Sequence, residues 1–426
     1  MMLKEPSMTK LQIFDDIVSV VKTDAAFCND LSYGNPEAYR AKISNDMDDE
    51  EFLYLVQSYL ATFQVAGHLS FRRVNRGKLP FTVKRYQDEL YVVSTARNSS
   101  LSIGDKIIGV NGMSVKDYGQ QHEVMLHGEP ESRQGFFWYT LLSYATTLTV
   151  VHDGLTVTIP VELNGEWPKE EKYFCRQLNQ HTAYLRLKDF ADDVAICRMY
   201  QDNDTLLRNC EYLIIDVREN GGGNDSAYVS LFQYCLPEGK TSASLQSGTF
   251  DSGIEINYTE RNCSHRLQQF ENTLQQDIPE ETRKLLQQFV DEMRANCGKG
   301  FLPFGSDDSS EEIPYVGIKT PRKVYVITDE DCASSGDAFV NDIRKCEKVT
   351  VVGRPTMGIL DYSNCSGEWY DDYVLVYPTS RSLYLDKGIR MRGHGIPVDI
   401  HIPWTPTHCH DDVDLNTVLE LIEKDR

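Results

Sequence analysis

At 426 residues the chain is long enough for two or three domains, and 41% hydrophobic with 25% charged residues is the balance of a soluble globular protein. The formal net charge of -21 argues against polyanionic partners, since nucleic acid and anionic membrane surfaces would be repelled and no basic patch stands out. Eleven cysteines, an odd number without regular spacing, predict a reduced, cytoplasmic setting rather than a disulfide framework. Over residues 1–22, Asp15 and Asp16 interrupt the apolar run before it reaches signal-peptide length, so neither a signal peptide nor a transmembrane helix is expected.

From Lys10 the apolar residues recur at helical spacing, first Leu11, Phe14, Ile17 and Val21, then Phe52, Val56, Tyr59, Leu60 and Phe63. This predicts a helical N-terminal domain over 1–78, which runs into Gly67-His68-Leu69-Ser70. A histidine after a helix is ordinarily a cap or a surface residue. Short alternating runs at 90–93, 106–110 and 147–151, with turn residues between them, predict a β-rich domain over 79–165. After a link at 167–172, strand and helix patterns alternate from Ala183 to Val352, which predicts an α/β core over 173–426 with a mixed sheet covered by helices. An insertion at about 236–318 carries a helical stripe with Leu267, Phe270, Leu285, Phe289 and Met293, then a Gly/Ser/Asp-rich loop at 305–312. It is either a cap over the site or a surface decoration. His408-Cys409-His410 is not expected to close a metal site, because neighbours in an extended run point to opposite faces. No cofactor is expected.

Two stretches carry chemistry. Val324-Tyr325-Val326-Ile327-Thr328 followed by Asp331-Cys332-Ala333-Ser334-Ser335-Gly336-Asp337-Ala338-Phe339 is a strand, a tight turn and a helix start. That arrangement lifts a small hydroxyl residue to a helix N-terminus, where unpaired N–H groups favour a developing oxyanion. Ser334 is the candidate nucleophile; the plainer reading of a serine there is an N-cap. Leu213-Ile214-Ile215-Asp216 runs into Gly221-Gly222-Gly223, and such a loop either brings amides close to a ligand or makes an ordinary turn.

Together these stretches resemble the C-terminal processing (tail-specific) protease family, which includes the tricorn core and the retinoid-binding repeats. The family's "I-D-x-R-x-N-x-G-G" corresponds to 215–223, and its "S-A-S/S-S-G/A-E/D-x-F" turn ends at Phe339. The resemblance implies a ClpP/crotonase-like core, Ser334 as nucleophile, and an oxyanion hole from the amides of Gly221 or Gly222 with Ser335. Gly67-His68 is similar to the family's "D-G-H" and implies His68 as general base. Leu101-Ser102-Ile103-Gly104-Asp105-Lys106-Ile107-Ile108-Gly109-Val110-Asn111-Gly112 looks like the PDZ pattern "L-x-x-G-D-x-I-x-x-V-N-G". A PDZ-like domain implies a sheet edge that holds a substrate tail, or a rigid spacer.

The chain departs from the pattern twice. Where one branch has the lysine of "T-F-G-K-G", this chain has Ile359, which cannot take a proton, so a serine–lysine dyad is not expected. Where the tricorn-like branch has an orienting glutamate, Arg392 stands; Asp361, Glu368, Asp386 and Asp399 are the candidates to serve instead. Two functions follow: a serine endopeptidase or hydrolase acting on extended or unfolded polypeptides, free or held by their C-termini, or a degenerate member that binds peptides or apolar ligands without cleavage.

Overall fold

The computed structural model describes residues 8–31, 34–246, 248–276, 278, 280–304 and 315–426; the loop expected at 305–312 lies outside them. The chain forms two units, one from the described parts of 1–76, 252–306 and 361–388 and the other from those of 77–251, 307–360 and 389–426.

In the first unit the expected N-terminal helices are present at Lys10–Thr23 and Asp49–Ala61. The first begins with a capping box, in which Thr9 takes the Gln12 N–H and Gln12 returns a bond to the Thr9 N–H. Their apolar faces, with Phe14, Ile17, Val56 and Tyr59, are buried. These helices do not form a domain by themselves. Strand Tyr373–Ser382 pairs along one side with Tyr362–Tyr370, and on its other side with Ser70–Arg73 at 373–376 and with Ile254–Tyr258 at 380–382. Phe52, Phe71 and Tyr373 close this union with ring centroids 5.2–5.7 Å apart. The described residues of 252–304 in the insertion belong to the same unit as the N-terminal helices, and Asn257 of strand Ile254–Tyr258 donates to the Thr23 carbonyl at 2.8 Å. That part contains two helices, Glu260–Leu274 and Glu280–Asn296, followed by strand Gly300–Pro303.

The second unit holds two sheets. The six-stranded one runs Ile400–His401, Val349–Gly353, Lys323–Thr328, Tyr212–Asp216, Thr182–Leu187 and Tyr173–Gln177, all parallel except the last pair. Its strands read as near-continuous apolar runs because both faces are covered. Tyr184, Ile214, Tyr325, Ile327 and Val352 pack with Val418 and Ile422 of the closing helix Val413–Asp425. Elsewhere, Phe190, Tyr228 and Phe339 meet at 5.3–5.8 Å, and Phe339 belongs to helix Ser335–Ile343.

The other sheet is antiparallel: Phe81–Tyr86, Glu89–Thr95, Lys106–Val110, Thr147–His152 and Leu155–Pro160, with Met113–Ser114 paired to Lys106–Val110. Asn111-Gly112 makes the short turn of that last hairpin with both φ positive, at 51° and 79°. Edge strand Phe81–Tyr86 is closely approached by helix Gly135–Leu142, since a Cβ on Gly135 would lie 3.2 Å from the Val83 carbonyl oxygen. Among the described residues no helix is long and apolar enough to cross a membrane.

Candidate active site

Strands Tyr212–Asp216 and Lys323–Thr328 are adjacent and parallel, in register from Tyr212 opposite Lys323 to Asp216 opposite Ile327. They therefore release their following loops at the same edge of the sheet, the carboxyl edge where α/β sheets place ligands. The Ala333 N–H donates to the Asn220 carbonyl at 2.8 Å and joins the loops. Gly222, with φ of 85°, sits where a Cβ would be 2.7 Å from Ser334 Cβ and 2.9 Å from the Ser335 nitrogen. Only glycine allows this approach without strain. The Ser335 hydroxyl donates to the Gly223 carbonyl at 2.8 Å.

Ser334 stands immediately before helix Ser335–Ile343 with φ 57° and ψ -118°, a conformation that costs a non-glycine residue of order 1–3 kcal/mol. Asp337 holds it there. The fully buried Asp337 carboxylate accepts the Ser334 N–H at 2.8 Å, the Gly358 N–H at 2.7 Å and the Ile359 N–H at 3.1 Å. Burial pushes its carboxyl above the ordinary range, and the three amides oppose that rise. The loop that supplies two of those amides is itself pinned by Arg133, which donates to the Thr356 and Met357 carbonyls at 2.9 and 2.6 Å.

The approach to the turn, 329–331, is a buried ion cluster. Lys84 Nζ from strand Phe81–Tyr86 lies 2.7 Å from Glu330, 3.1 Å from Asp331 and 3.5 Å from Asp329, and Arg354 Nε lies 3.1 Å from Glu330. Burial alone would raise Glu330, but the Lys84 and Arg354 charges outweigh it and hold its carboxyl down at about 2. Asp216 is similarly held below its ordinary range: burial raises it, while Arg218 and Arg186 lower it more.

The two loop amides taken as oxyanion donors are hydrogen-bonded within the second unit. Gly221 N–H donates to the Lys188 carbonyl at 3.3 Å, and Gly222 N–H to Asn220 Oδ1 at 2.9 Å. A Cβ at Gly221 would meet nothing within 4 Å, so the space beside it is open.

His68 belongs to the first unit, as Ser334 belongs to the second. Its Nδ1 lies 2.6 Å from the Tyr362 carbonyl oxygen. A carbonyl can only accept, so Nδ1 carries the hydrogen, and in the neutral ring Nε2 is then the basic nitrogen.

The four candidate acids have other partners. Glu368 pairs with Arg261 at 2.7 Å and His265 at 3.4 Å, Asp386 accepts from Arg381 at 2.9 Å, and Asp361 accepts from the Tyr384 hydroxyl at 2.9 Å. Asp399 takes the Val351 N–H at 2.8 Å and so anchors a core strand. Sequence reasoning missed the roles of Asp337 and of the Tyr362 carbonyl. Asp337 has a signal, the acid three residues after a serine at a helix start. A backbone carbonyl has none.

His408 and His410 do not converge: His408 faces Asp414 at 3.5 Å, whereas a Cβ on Gly104 would lie 2.8 Å from the His410 ring. Among the described residues no group of three or more His, Cys, Asp or Glu side chains is arranged to hold a metal ion.

The family model for peptidase family S41 matches residues 181–402, a span that contains both loops and the strand that follows them. Among solved structures, mature CPAF is similar with a TM-score of 0.62 and 14% identity, over 94% of this chain and 93% of that one. Mature CPAF complexed with lactacystin gives 0.60 and 13%, over 98% and 97%. The photosystem II D1 C-terminal processing protease gives 0.44 and 12%, over 93% of each. At these identities the likeness to CPAF is one of fold. A search of curated proteins found no sequence match.

Proposed function

The chain belongs to peptidase family S41, the serine-type C-terminal processing peptidases, and we propose that it hydrolyses extended polypeptides with Ser334 as nucleophile and His68 as general base. The observation that carries this reading is the backbone of Ser334: a strained φ of 57° at a helix start, closed over by a glycine that no other residue could replace without a clash. A serine kept only as an N-cap has no need of that conformation, because caps adopt ordinary extended angles.

In the proposed cycle His68 Nε2 accepts the Ser334 Oγ proton as Oγ attacks the scissile carbonyl. The same proton passes to the leaving amine, and a water deprotonated by His68 then releases the acyl group. The oxyanion is held by the Ser335 N–H, the first of the helix, together with a loop amide. Gly221 is the better candidate of the two, since its 3.3 Å bond to Lys188 is the weaker and the space beside it is open. The Tyr362 carbonyl takes the part that an acid plays elsewhere, fixing the tautomer while stabilising the imidazolium less than a carboxylate would. Ile359, which stands where one branch has its lysine, donates its N–H to Asp337, and the proposed cycle uses no lysine. The antiparallel sheet at 81–160 is proposed to hold the substrate's C-terminal tail by strand addition.

A second reading, a binder without hydrolysis, is favoured by one observation: Ile359 and Arg392 stand at both positions where the resemblance implies a catalytic side chain. Incubation of an unfolded, fluorescently quenched polypeptide with the wild type and with Ser334→Ala and His68→Ala separates the two. Cleavage lost in both variants supports the peptidase; binding without cleavage by the wild type supports the second reading.

A further inference from the structure

The first unit contains a cavity of about 290 Å³ between the helix pair of the insertion and the edge of its sheet. One wall is apolar and stacked: Phe270 and Phe289 centroids lie 5.9 Å apart and Phe289 and Phe304 5.4 Å apart, with Ile256 and Met293 beside them. The polar lining is already committed, with one exception. Asn262 Nδ2 donates to the Asp24 and Asn257 carbonyls while its Oδ1 accepts from Tyr377, and Thr379 donates to the Asn364 carbonyl.

The exception is Arg266. Its guanidinium makes two hydrogen bonds at 3.0 Å, both to neutral acceptors, the Gln269 side chain and the Asn364 carbonyl. A guanidinium has five N–H donors, so three are available to a ligand. Among the described residues no carboxylate pairs with it, in a chain whose acidic residues outnumber its basic ones by 64 to 43. Burial pulls this arginine below its ordinary range, opposed in part by the Cys365 thiol and the Tyr377 phenol. A guanidinium with spare donors and only neutral acceptors among the described residues, its carbon 5.9 Å from the Phe270 ring centroid at the mouth of an aromatic pocket, is placed to pair with a ligand carboxylate.

We propose that this cavity binds a small amphipathic monocarboxylate, its apolar tail against Phe270, Phe289 and Phe304 and its carboxylate on Arg266. At roughly 30 Å³ per non-hydrogen atom, the share of a water molecule in the liquid, the cavity holds about ten such atoms. That is the size of octanoate. A peptide ending in a large apolar residue presents the same chemistry, with its terminal carboxylate in place of the fatty one.

The test is calorimetric titration of the intact protein with octanoate, with octanol, and with N-acetylphenylalanine and its amide, repeated on Arg266→Leu. No peptidase activity is needed. The wild type is expected to bind octanoate at least tenfold more tightly than octanol, as a charge-assisted pair requires. Arg266→Leu is expected to bring that ratio to about one while octanol still binds, which shows that the pocket remains. Preference for N-acetylphenylalanine over its amide and over octanoate identifies a peptide terminus as the source; the reverse identifies a free amphiphile. No binding of any carboxylate, equal binding of octanoate and octanol, or an unchanged ratio in Arg266→Leu overturns the proposal.

Discussion

Replacing Asp337 by asparagine keeps the shape of the side chain and removes half of what it does. The carboxylate accepts three buried N–H groups, two on Oδ2 from Ser334 and Ile359 and one on Oδ1 from Gly358. An amide offers one acceptor. Its best orientation keeps the oxygen on Ser334 and Ile359 and turns an NH2 towards the Gly358 N–H, where the original bond was 2.7 Å long. An orphaned buried donor costs roughly 1–3 kcal/mol, and the two surviving bonds lose their charge assistance, about 1 kcal/mol each. Relief of the buried charge offsets part of this, and a net loss of about 2–4 kcal/mol is expected. With total stabilities of roughly 5–15 kcal/mol, Asp337→Asn should fold. Its melting temperature is expected to fall by roughly 5–15 °C, at a few degrees per kcal/mol. Because one of the amides it holds is that of Ser334, fluorophosphonate labelling well below the melt is expected to slow at least tenfold. A variant that melts and labels like the wild type would refute the claim that this carboxylate fixes the turn.

Gly222→Ala places a methyl group 2.7 Å from Ser334 Cβ at a φ of 85°, and is expected to reduce labelling and hydrolysis more than tenfold at an overpacking cost of about 1–3 kcal/mol; wild-type rates in a folded variant would remove the close approach from the account. Acid stability offers a separate check, because Glu330's folded value of about 2 lies below its ordinary 4.5. The stabilisation is therefore present above pH 4.5 and lost as pH falls towards 2, up to about 3 kcal/mol in all. Melting temperature against pH should fall less steeply over that window in Glu330→Gln than in the wild type, and parallel curves would contradict the ion cluster.

Much of this architecture is legible in local sequence. The apolar run before Ser334 is strand Lys323–Thr328 and the helix after it is Ser335–Ile343, because an apolar run and a small-residue turn act within a few residues. The same holds for helices Lys10–Thr23 and Asp49–Ala61 and for the Asn111-Gly112 hairpin. What local pattern does not carry is partnership across the chain. Nothing near Ser70 announces that it pairs with Val376, or that Ile254–Tyr258 joins the same sheet from the insertion. Tyr362 has no chemical signature as the partner of His68, since the group involved is a carbonyl that every residue owns. Asp337 was visible as a motif letter, but its two further bonds come from a loop more than twenty residues away. Arg266 reads as one more charge on an amphipathic helix until its neutral partners, the Gln269 side chain and the Asn364 carbonyl, are seen in three dimensions.

The most direct test of the central claim is to treat the purified protein with a fluorophosphonate and locate the adduct by mass spectrometry of its peptides. An activated serine at the helix start predicts a single adduct on Ser334, absent from Ser334→Ala and strongly slowed in His68→Ala. A folded protein that takes no label, or takes it on another serine, contradicts it.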